Sequence, residues 1–173
     1  RLCSKLSSVL KGLFSRPSDK PLDCLAIISR AKDSENRVAA VNQAAPSCVC
    51  ENAQMSVYSP GPISDSEQLS RYVFSPMHVD KKGNIKSSVF SHVSHRGCSV
   101  QRESIAEDQE MIAFVESFLS KRDDYKWLGV LVANVADLRS LKVGETGNRS
   151  VCAYDTAEKT NPAHAELFQS QYV

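Results

Sequence analysis

A continuous apolar run, W-L-G-V-L-V-A at residues 127–133, constrains the fold of this chain more than any other feature. The run is far shorter than the roughly 20 residues that a membrane-spanning helix needs. Its length and its β-branched residues are typical of a strand that is buried on both faces. The sequence therefore predicts a sheet in which residues 127–133 form a buried central strand.

Further strands are predicted on both sides of this run, from alternating polar and apolar positions and from β-forming residues. They are expected at residues 69–74, 85–90 and 149–154, residues 98–100 fit either a short strand or a strand-to-helix connection, and a last element is expected at 161–168. A long helix is predicted to begin at Ser104, because Glu107 follows it at capping-box spacing. A short helix is expected directly after the apolar run. This order predicts an α+β single domain with a mixed or mostly antiparallel sheet and one long helix.

The sequence divides into a predicted N-terminal helix and loosely ordered arm, residues 1–62, and an α+β core domain, residues 63–173. Apolar residues recur at helical spacing in residues 2–14, which predicts a short amphipathic helix. Residues 22–32 fit either a helix or a buried strand, and the polar stretch at 33–53 shows no strong element. The loop signal Y-S-P-G-P marks the boundary.

The charge balance argues against some partners. The 173 residues carry 21 basic and 20 acidic side chains, a formal net charge of +1. Such a balance produces no long-range field that would attract nucleic acid or an anionic membrane. We expect no membrane span.

The chain has 6 cysteines and no secretory pattern in its first residues. For a domain of this size, with 42% hydrophobic residues, we expect reduced thiols and a cytoplasmic location.

Standard catalytic and nucleotide-binding motifs are missing from the sequence. There is no phosphate-binding P-loop, no G-x-G-x-x-G, no G-x-S-x-G and no H-E-x-x-H. With 7 glycines in the whole chain, a phosphate cradle built from glycine amides is not expected.

A zinc site is one alternative that the histidines and cysteines suggest. His92, His95 and Cys98 form an H-x-x-H-x-x-C pattern, to which His78 and the C-x-C pair at 48–50 can be added. Histidine nitrogens and cysteine thiolates are the usual ligands of zinc. We expect no metal as the default, since zinc sites more often use C-x-x-C pairs, and on this interpretation the histidines lie on an exposed loop.

A second group of polar residues suggests a phosphate site. Arg71 lies in a predicted strand, and Ser99 and Arg102 precede the long helix, whose N-terminal amides favour anions. Two arginines and a helix N-terminus can hold a phosphate. We therefore predict Arg71, Ser99 and Arg102 as ligand-binding residues.

The stretch N-P-A-H-A-E-L at residues 161–167 contains the main catalytic candidates for this predicted phosphate site. His164, with the nearby carboxylate of Glu166, is the candidate general base, and His78 is a further catalytic candidate. Asn161 is a predicted ligand-binding residue. The alternative is that His164 makes a local hydrogen bond and that Arg71 pairs with an acid.

Several of these residues carry a resemblance. The blocks R-Y-V-F at 71–74, H-V-D-x-x-G at 78–83, S-V-x-R at 99–102 and N-P-A-H-A at 161–165 resemble, in this order, a family of small uncharacterised bacterial proteins. The resemblance covers roughly residues 69–168 and implies a compact unit in a bacterial protein, with no established activity. A looser similarity to ADP-ribosyltransferase-type folds would make Glu166 the late acidic residue.

Two functional hypotheses follow. In the first, the protein is a non-catalytic subunit or accessory protein of a larger bacterial assembly, and it binds a protein partner through residues 1–62. In the second, it is an enzyme or binding domain for a phosphate-containing ligand, such as a nucleotide, an NAD-like molecule or an RNA end. The second hypothesis expects five residues to meet in one cleft: Arg71, His78, Ser99, Arg102 and His164.

Overall fold

A computed structural model describes residues 22–173 of the chain. The predicted helix at residues 2–14 lies outside the described residues. The helices are α1 (Cys24–Ala31), α2 (Arg37–Ala44), α3 (Asp108–Leu119) and α4 (Val135–Ser140), with short 3₁₀ helices at Ser87–Phe90 and Gly144–Thr146. The strands are β1 (Gln68–Ser75), β2 (Cys98–Arg102), β3 (Lys126–Asn134), β4 (Val151–Asp155) and β5 (His164–Gln169).

The five strands form one sheet in the order β3-β1-β2-β5-β4. Each neighbouring pair is antiparallel. The predicted α+β fold class is therefore confirmed, and the sheet is antiparallel throughout. None of the helices within residues 22–173 is both long enough and apolar enough to cross a membrane.

The predicted central position of residues 127–133 is wrong. They form β3, which lies at one edge of the sheet and pairs only with β1. Leu128 is 55% exposed and Val132 is 49% exposed. The apolar pattern correctly predicted a strand. It could not show that this strand has a neighbouring strand on one side only.

Two further predictions of local structure need correction. The segment 85–90 is not a strand; it contains the 3₁₀ helix, in which Val89 is fully buried and Phe90 is exposed. The long helix begins at Asp108 rather than at Ser104. The capping box does not form, because the Ser104 hydroxyl donates to Glu67 instead of accepting from a helix amide.

The described part of the predicted arm, residues 22–62, is built into the core. Asp23 caps α1 and Asn36 caps α2, each by accepting a backbone N–H three residues later. The apolar sides of both helices pack against β4 and β5. This shared core contains Ile27, Ile28, Val38, Val41, Tyr154 and Phe168.

The two sheet faces carry different layers. Helices α1 and α2 cover one face at its β4 end, and α3 covers the same face over β1, where Phe114 stacks on Tyr72 at 5.0 Å and Phe118 stacks on Phe74 at 4.1 Å. The opposite face buries a second apolar cluster together with α4. That cluster includes Ile63, Leu69, Val100, Val135, Val151 and Leu167. The middle of the first face is left without a helix.

Two disulfides tie the helical layer together and to the sheet. Cys24 bonds Cys50, and Cys48 bonds Cys152 in β4. Among the described residues, Cys98 is buried and forms no disulfide. The expectation of reduced thiols is therefore wrong for these four cysteines. Connectivity is not visible in cysteine spacing, because the partners come together only in the folded chain.

The outer edge of β4 is closed by a buried carboxylate. Glu51, 4% exposed, accepts the N–H of Ala153 at 2.6 Å. Arg149 binds the same carboxylate with two nitrogens, at 2.5 and 2.6 Å, and Arg139 lies 3.3 Å away. A charge this deeply buried is stable only when it is paired and hydrogen-bonded, as it is here.

We predict that Cys24, Cys48, Cys50 and Cys152 resist alkylation in the unreduced, denatured protein, and that peptide mapping returns the two pairs of the structure. Replacing Cys48 and Cys152 by serine should lower the free energy of unfolding by about 2–4 kcal/mol. The matched Cys24→Ser, Cys50→Ser variant should lose about 1 kcal/mol less, because its disulfide spans 26 residues rather than 104. Alkylation of all four cysteines would contradict both pairings.

We predict that Glu51→Ala lowers the free energy of unfolding by about 3–5 kcal/mol, because it leaves two arginines without their carboxylate and an edge N–H without an acceptor. Asp65→Asn is the control: Asp65 also pairs with Arg139, at 2.5 Å, but its side chain is 69% exposed. Its loss should be below about 1 kcal/mol. If urea unfolding shows that both variants lose the same free energy of unfolding, burial does not explain the contribution of Glu51 to stability.

Candidate functional site

The uncovered middle of the sheet forms a cleft between the α1–α2 pair and α3. It contains two adjoining cavities of about 560 and 820 Å³. Ser99, Glu158 and His164 line both of them. Volumes of this size are usual for sites that hold a small molecule.

Strand register brings the polar floor of this cleft together. Ser99 of β2 lies directly opposite Glu166 of β5, and Gln101 lies opposite His164. Because side chains alternate along a strand, these four residues share one face of the sheet. The Ser99 hydroxyl makes no hydrogen bond to another residue of the described part of the chain, so it is available to a ligand.

His164 is held by the segment that precedes it. Its Nδ1 lies 3.0 Å from the carbonyl oxygen of Thr156 and 3.0 Å from the Thr156 hydroxyl. A carbonyl oxygen only accepts, so this contact keeps the proton of the neutral ring on Nδ1 and leaves Nε2 as an acceptor. The histidine can therefore accept a hydrogen bond or a proton through Nε2.

The small residues beside His164 pack in the core. Ala163 and Ala165 are fully buried, and Ala165 belongs to the cluster on the opposite sheet face. The stretch N-P-A-H-A-E-L thus alternates between small core residues and polar residues of the cleft. Asn161 lines the smaller cavity, and its backbone closes a turn with Glu158.

Glu166 is a buried carboxylate in the larger cavity. It is 4% exposed, and its Oε1 accepts from Arg37 of α2 at 2.7 Å. Its Oε2 is buried without a hydrogen-bond partner among the described residues. Glu166 therefore contributes one paired and one unpaired oxygen to the floor of the cleft.

The two ends of the cleft differ in charge. Three cations line the larger cavity, Lys32, Arg37 and Lys159, against two carboxylates, Glu158 and Glu166, of which Glu166 is neutralised by Arg37. The smaller cavity instead contains the carboxylates of Glu107 and Glu110. A bound molecule would thus meet a basic end and an acidic end.

Aromatic and apolar side chains accompany the acidic end. The Tyr72 and Phe114 rings line the smaller cavity together with Met111. Burial, and then the charges of Glu103 and Glu110, raise the pKa of the Tyr72 hydroxyl. Tyr72 is therefore neutral at physiological pH and can donate a hydrogen bond.

The arginines predicted to bind phosphate have other partners. Arg71 lies on the opposite sheet face from Ser70 and Tyr72 by strand alternation, and it donates to the carbonyl oxygens of Val89 at 3.2 Å and Ser99 at 2.7 Å. Only part of Arg71 reaches the wall of the smaller cavity. Its guanidinium and the His164 ring therefore do not meet on one face.

Arg102 is buried in an ion-pair network. It contacts Glu67 at 2.8 Å and Asp155 at 3.3 Å, and it donates to the Gly61 carbonyl oxygen at 2.7 Å. Burial acts to raise the pKa of Glu67, but hydrogen bonds led by the one from Arg102 lower it overall. The helix N-terminus expected beside Arg102 begins instead with Glu107, Asp108 and Glu110, which disfavour an anion.

His78 is also placed away from the cleft. It is 3% exposed, and its Nδ1 accepts the backbone N–H of Phe74 at 3.1 Å. Burial, followed by the charges of Arg71 and Lys86, lowers the pKa of His78. The ring therefore acts as a neutral acceptor that holds the end of β1.

The zinc alternative conflicts with the disulfides. Cys48 and Cys50 are each bonded to another cysteine, and zinc requires deprotonated thiolates. Nowhere in residues 22–173 do three or more His, Cys, Asp or Glu side chains come together in a group that could hold a metal ion.

Sequence reasoning identified part of this cleft and missed the rest. Of the predicted residues, Arg71, Ser99, Asn161, His164 and Glu166 line it, although the Arg71 guanidinium is bound to backbone carbonyls, whereas His78 and Arg102 do not line it. The basic residues Lys32, Arg37 and Lys159 were missed. They come from segments without an apolar pattern, and only the folded chain brings them to one place.

The fold and the cleft define a class: an α+β single domain whose antiparallel sheet carries a polar cleft on one face. Comparison of the chain with protein-family models, with curated proteins and with solved structures finds no match. The resemblance to small bacterial proteins therefore stays a prediction from short blocks of sequence.

We predict that His78 makes stability depend on pH. Because folding lowers its pKa below the ordinary value of about 6.5, the unfolded chain binds a proton that the folded chain does not, and stability falls as the pH drops through about 6.5. His78→Gln should flatten the dependence of the free energy of unfolding on pH between about 5 and 7. His92→Gln, at an exposed position, should leave it unchanged; equal slopes in all three proteins would refute the assignment.

Proposed function

We propose that the protein is a binding domain for a small phosphate-containing ligand of the nucleotide type, and that the cleft is its site. The observation that carries this proposal is the arrangement of the cleft, with cations at one end, aromatic rings at the other, and Ser99 and His164 between them. A nucleotide has the matching arrangement of a phosphate joined to a flat ring.

The basic end is suited to the phosphate. Lys32 and Lys159 are exposed and lie beside the cavity. Neither forms an ion pair with another residue of 22–173, so a bound anion does not have to displace one there. Arg37 adds a third charge, although one of its nitrogens is bound to Glu166. Hydrogen bonds between cations and phosphate oxygens are stronger than those between neutral groups.

The acidic end is suited to a base. Rings can pack against Tyr72, Phe114 and the flexible side chain of Met111. The carboxylates of Glu107 and Glu110 accept hydrogen bonds from amino groups and would repel a second phosphate. The polarity of the cleft therefore supports one orientation of the ligand.

The accessory-protein hypothesis is a second candidate. Three exposed apolar residues in the segment predicted as a docking surface support it: Val49 is 49%, Val57 is 65% and Tyr58 is 50% exposed. Such residues are candidates for contact with a protein partner of a bacterial assembly. Val57 and Tyr58 also line the larger cavity, so a bound partner would cover one end of the cleft.

The two disulfides also bear on the cellular location. Disulfides persist mainly in oxidising compartments and are rare in the cytosol. The two pairs therefore weigh against the cytoplasmic location expected from the sequence, and we propose an oxidising compartment instead.

We predict that nucleoside monophosphates bind in the cleft, detected by calorimetry and by NMR shifts of the His164 ring. The corresponding nucleosides should bind at least tenfold more weakly, because they lack the charged group that the lysines contact. Replacing Lys32 and Lys159 by alanine should weaken binding by roughly 10- to 100-fold. His164→Ala should also weaken nucleotide binding relative to the unchanged protein. It should not unfold the chain, since His164 is only partly buried.

The Lys81→Ala, Lys82→Ala variant is the matched control. It removes the same two charges from an exposed turn whose lysines line neither cavity, and it should bind as the unchanged protein does. Two results contradict the proposal: no saturable binding of any of the four common monophosphates, or equal affinities of the two double-lysine variants.

A further inference from the structure

The two edge strands of the sheet differ in whether another segment covers them. At the β4 edge, residues 48–53 cover the strand: Glu51 accepts the N–H of Ala153, and Cys48 is bonded to Cys152. Covering an edge in this way prevents it from pairing with another strand. The opposite edge is formed by β3.

The β3 edge carries none of these protections over most of its length. Within residues 22–173, no backbone hydrogen bond joins its outer side to another segment. There is no charge and no proline between Trp127 and Ala133, although natural edge strands usually carry one or the other. An irregularity in the pairing with β1 falls opposite Leu128, so residues 129–134 form the regular part of the strand.

The side chains along this edge are apolar and exposed. Val130 is 37% and Val132 is 49% exposed, and they lie on the sheet face that carries α3. Ile112, 49% exposed, and Phe114, 46% exposed, come from that helix. A bare edge flanked by apolar side chains is a surface that strand addition would bury.

We infer that β3 pairs in antiparallel fashion with β3 of a second copy of this chain, so that two five-stranded sheets join into one. A two-fold axis at Leu131 places Val130 of each copy opposite Val132 of the other, and Gly129 opposite Ala133. Paired β-branched residues are favourable cross-strand neighbours.

Charge favours a second copy as the occupant. An antiparallel pair of identical strands brings like charges together wherever a charged residue lies near the axis. Here residues 127–133 have none, and Lys126 lies beyond the regular segment. The resulting contact is the same on both copies and closes after two, so it does not continue into a filament.

Sedimentation of the full chain tests this inference. The unchanged protein should be a dimer at micromolar concentrations. The Val130→Lys, Val132→Lys variant should be a monomer, because four lysines would meet across the axis. The Val130→Glu, Val132→Glu variant should be a monomer for the same reason.

An equimolar mixture of the two variants should restore a dimer, because each lysine would then face a glutamate. This rescue separates a lost interface from a misfolded chain. The Val57→Lys, Leu141→Lys variant adds the same two charges at exposed apolar positions outside β3 and should stay dimeric.

Three outcomes overturn the inference: a monomeric unchanged protein, a lysine variant that stays dimeric, or folded variants that do not combine in the mixture. Folding of each variant is checked by circular dichroism. None of these outcomes depends on whether the cleft binds a nucleotide.

Discussion

The carboxylate of Glu51 occupies the position on which the rest of the fold depends. It replaces a neighbouring strand at the β4 edge by accepting the Ala153 N–H, and it is neutralised by Arg149 and Arg139. A buried carboxylate without these partners would cost several kcal/mol. The disulfides of Cys48 and Cys50, directly before Glu51, hold its segment against β4 and against α1, so the ion pairs and the covalent links stabilise the same contact.

This contact determines where the cleft can form. Because α1 and α2 are linked to the β4 end of the sheet and α3 stacks on β1 through its aromatic residues, the middle of the sheet around Ser99 of β2 and His164 of β5 is covered by neither. Polar residues at that position, such as Ser99 and His164, do not pay the desolvation cost of a closed core. The same helix packing therefore leaves the gap and allows polar residues to form its floor.

Periodicity predicted β1 and β4 to within a few residues, and β2 and β5 lie where a short strand or connection and a last element were expected, but the strand predicted at 85–90 is wrong. It did not predict their neighbours, which is why β3 is an edge strand instead of a central one. For the site, Ser99 was selected because it precedes the predicted long helix, and His164 because a carboxylate, Glu166, lies close to it in the sequence. Arg71 was grouped with them although strand alternation gives it the parity of Leu69 and Val73, which are core residues. The sequence contained the alternation within each strand, which was enough to separate the Arg71 side chain from the floor of the cleft. It did not contain the pairing of the cysteines or the approach of the cations from α1 and α2, since both arise only in the folded chain.

The Arg37–Glu166 pair connects the helical layer to the cleft. Arg37 begins α2, and its partner lies in β5 beside His164. A shift of α2 relative to the sheet would therefore change the charge of the cleft floor as well as its width, because Glu166 would lose its neutralising partner. The same helix is anchored indirectly by the Cys24–Cys50 and Cys48–Cys152 bonds. The covalent links at one edge of the sheet thus help to fix the electrostatics of a site that lies one strand further in.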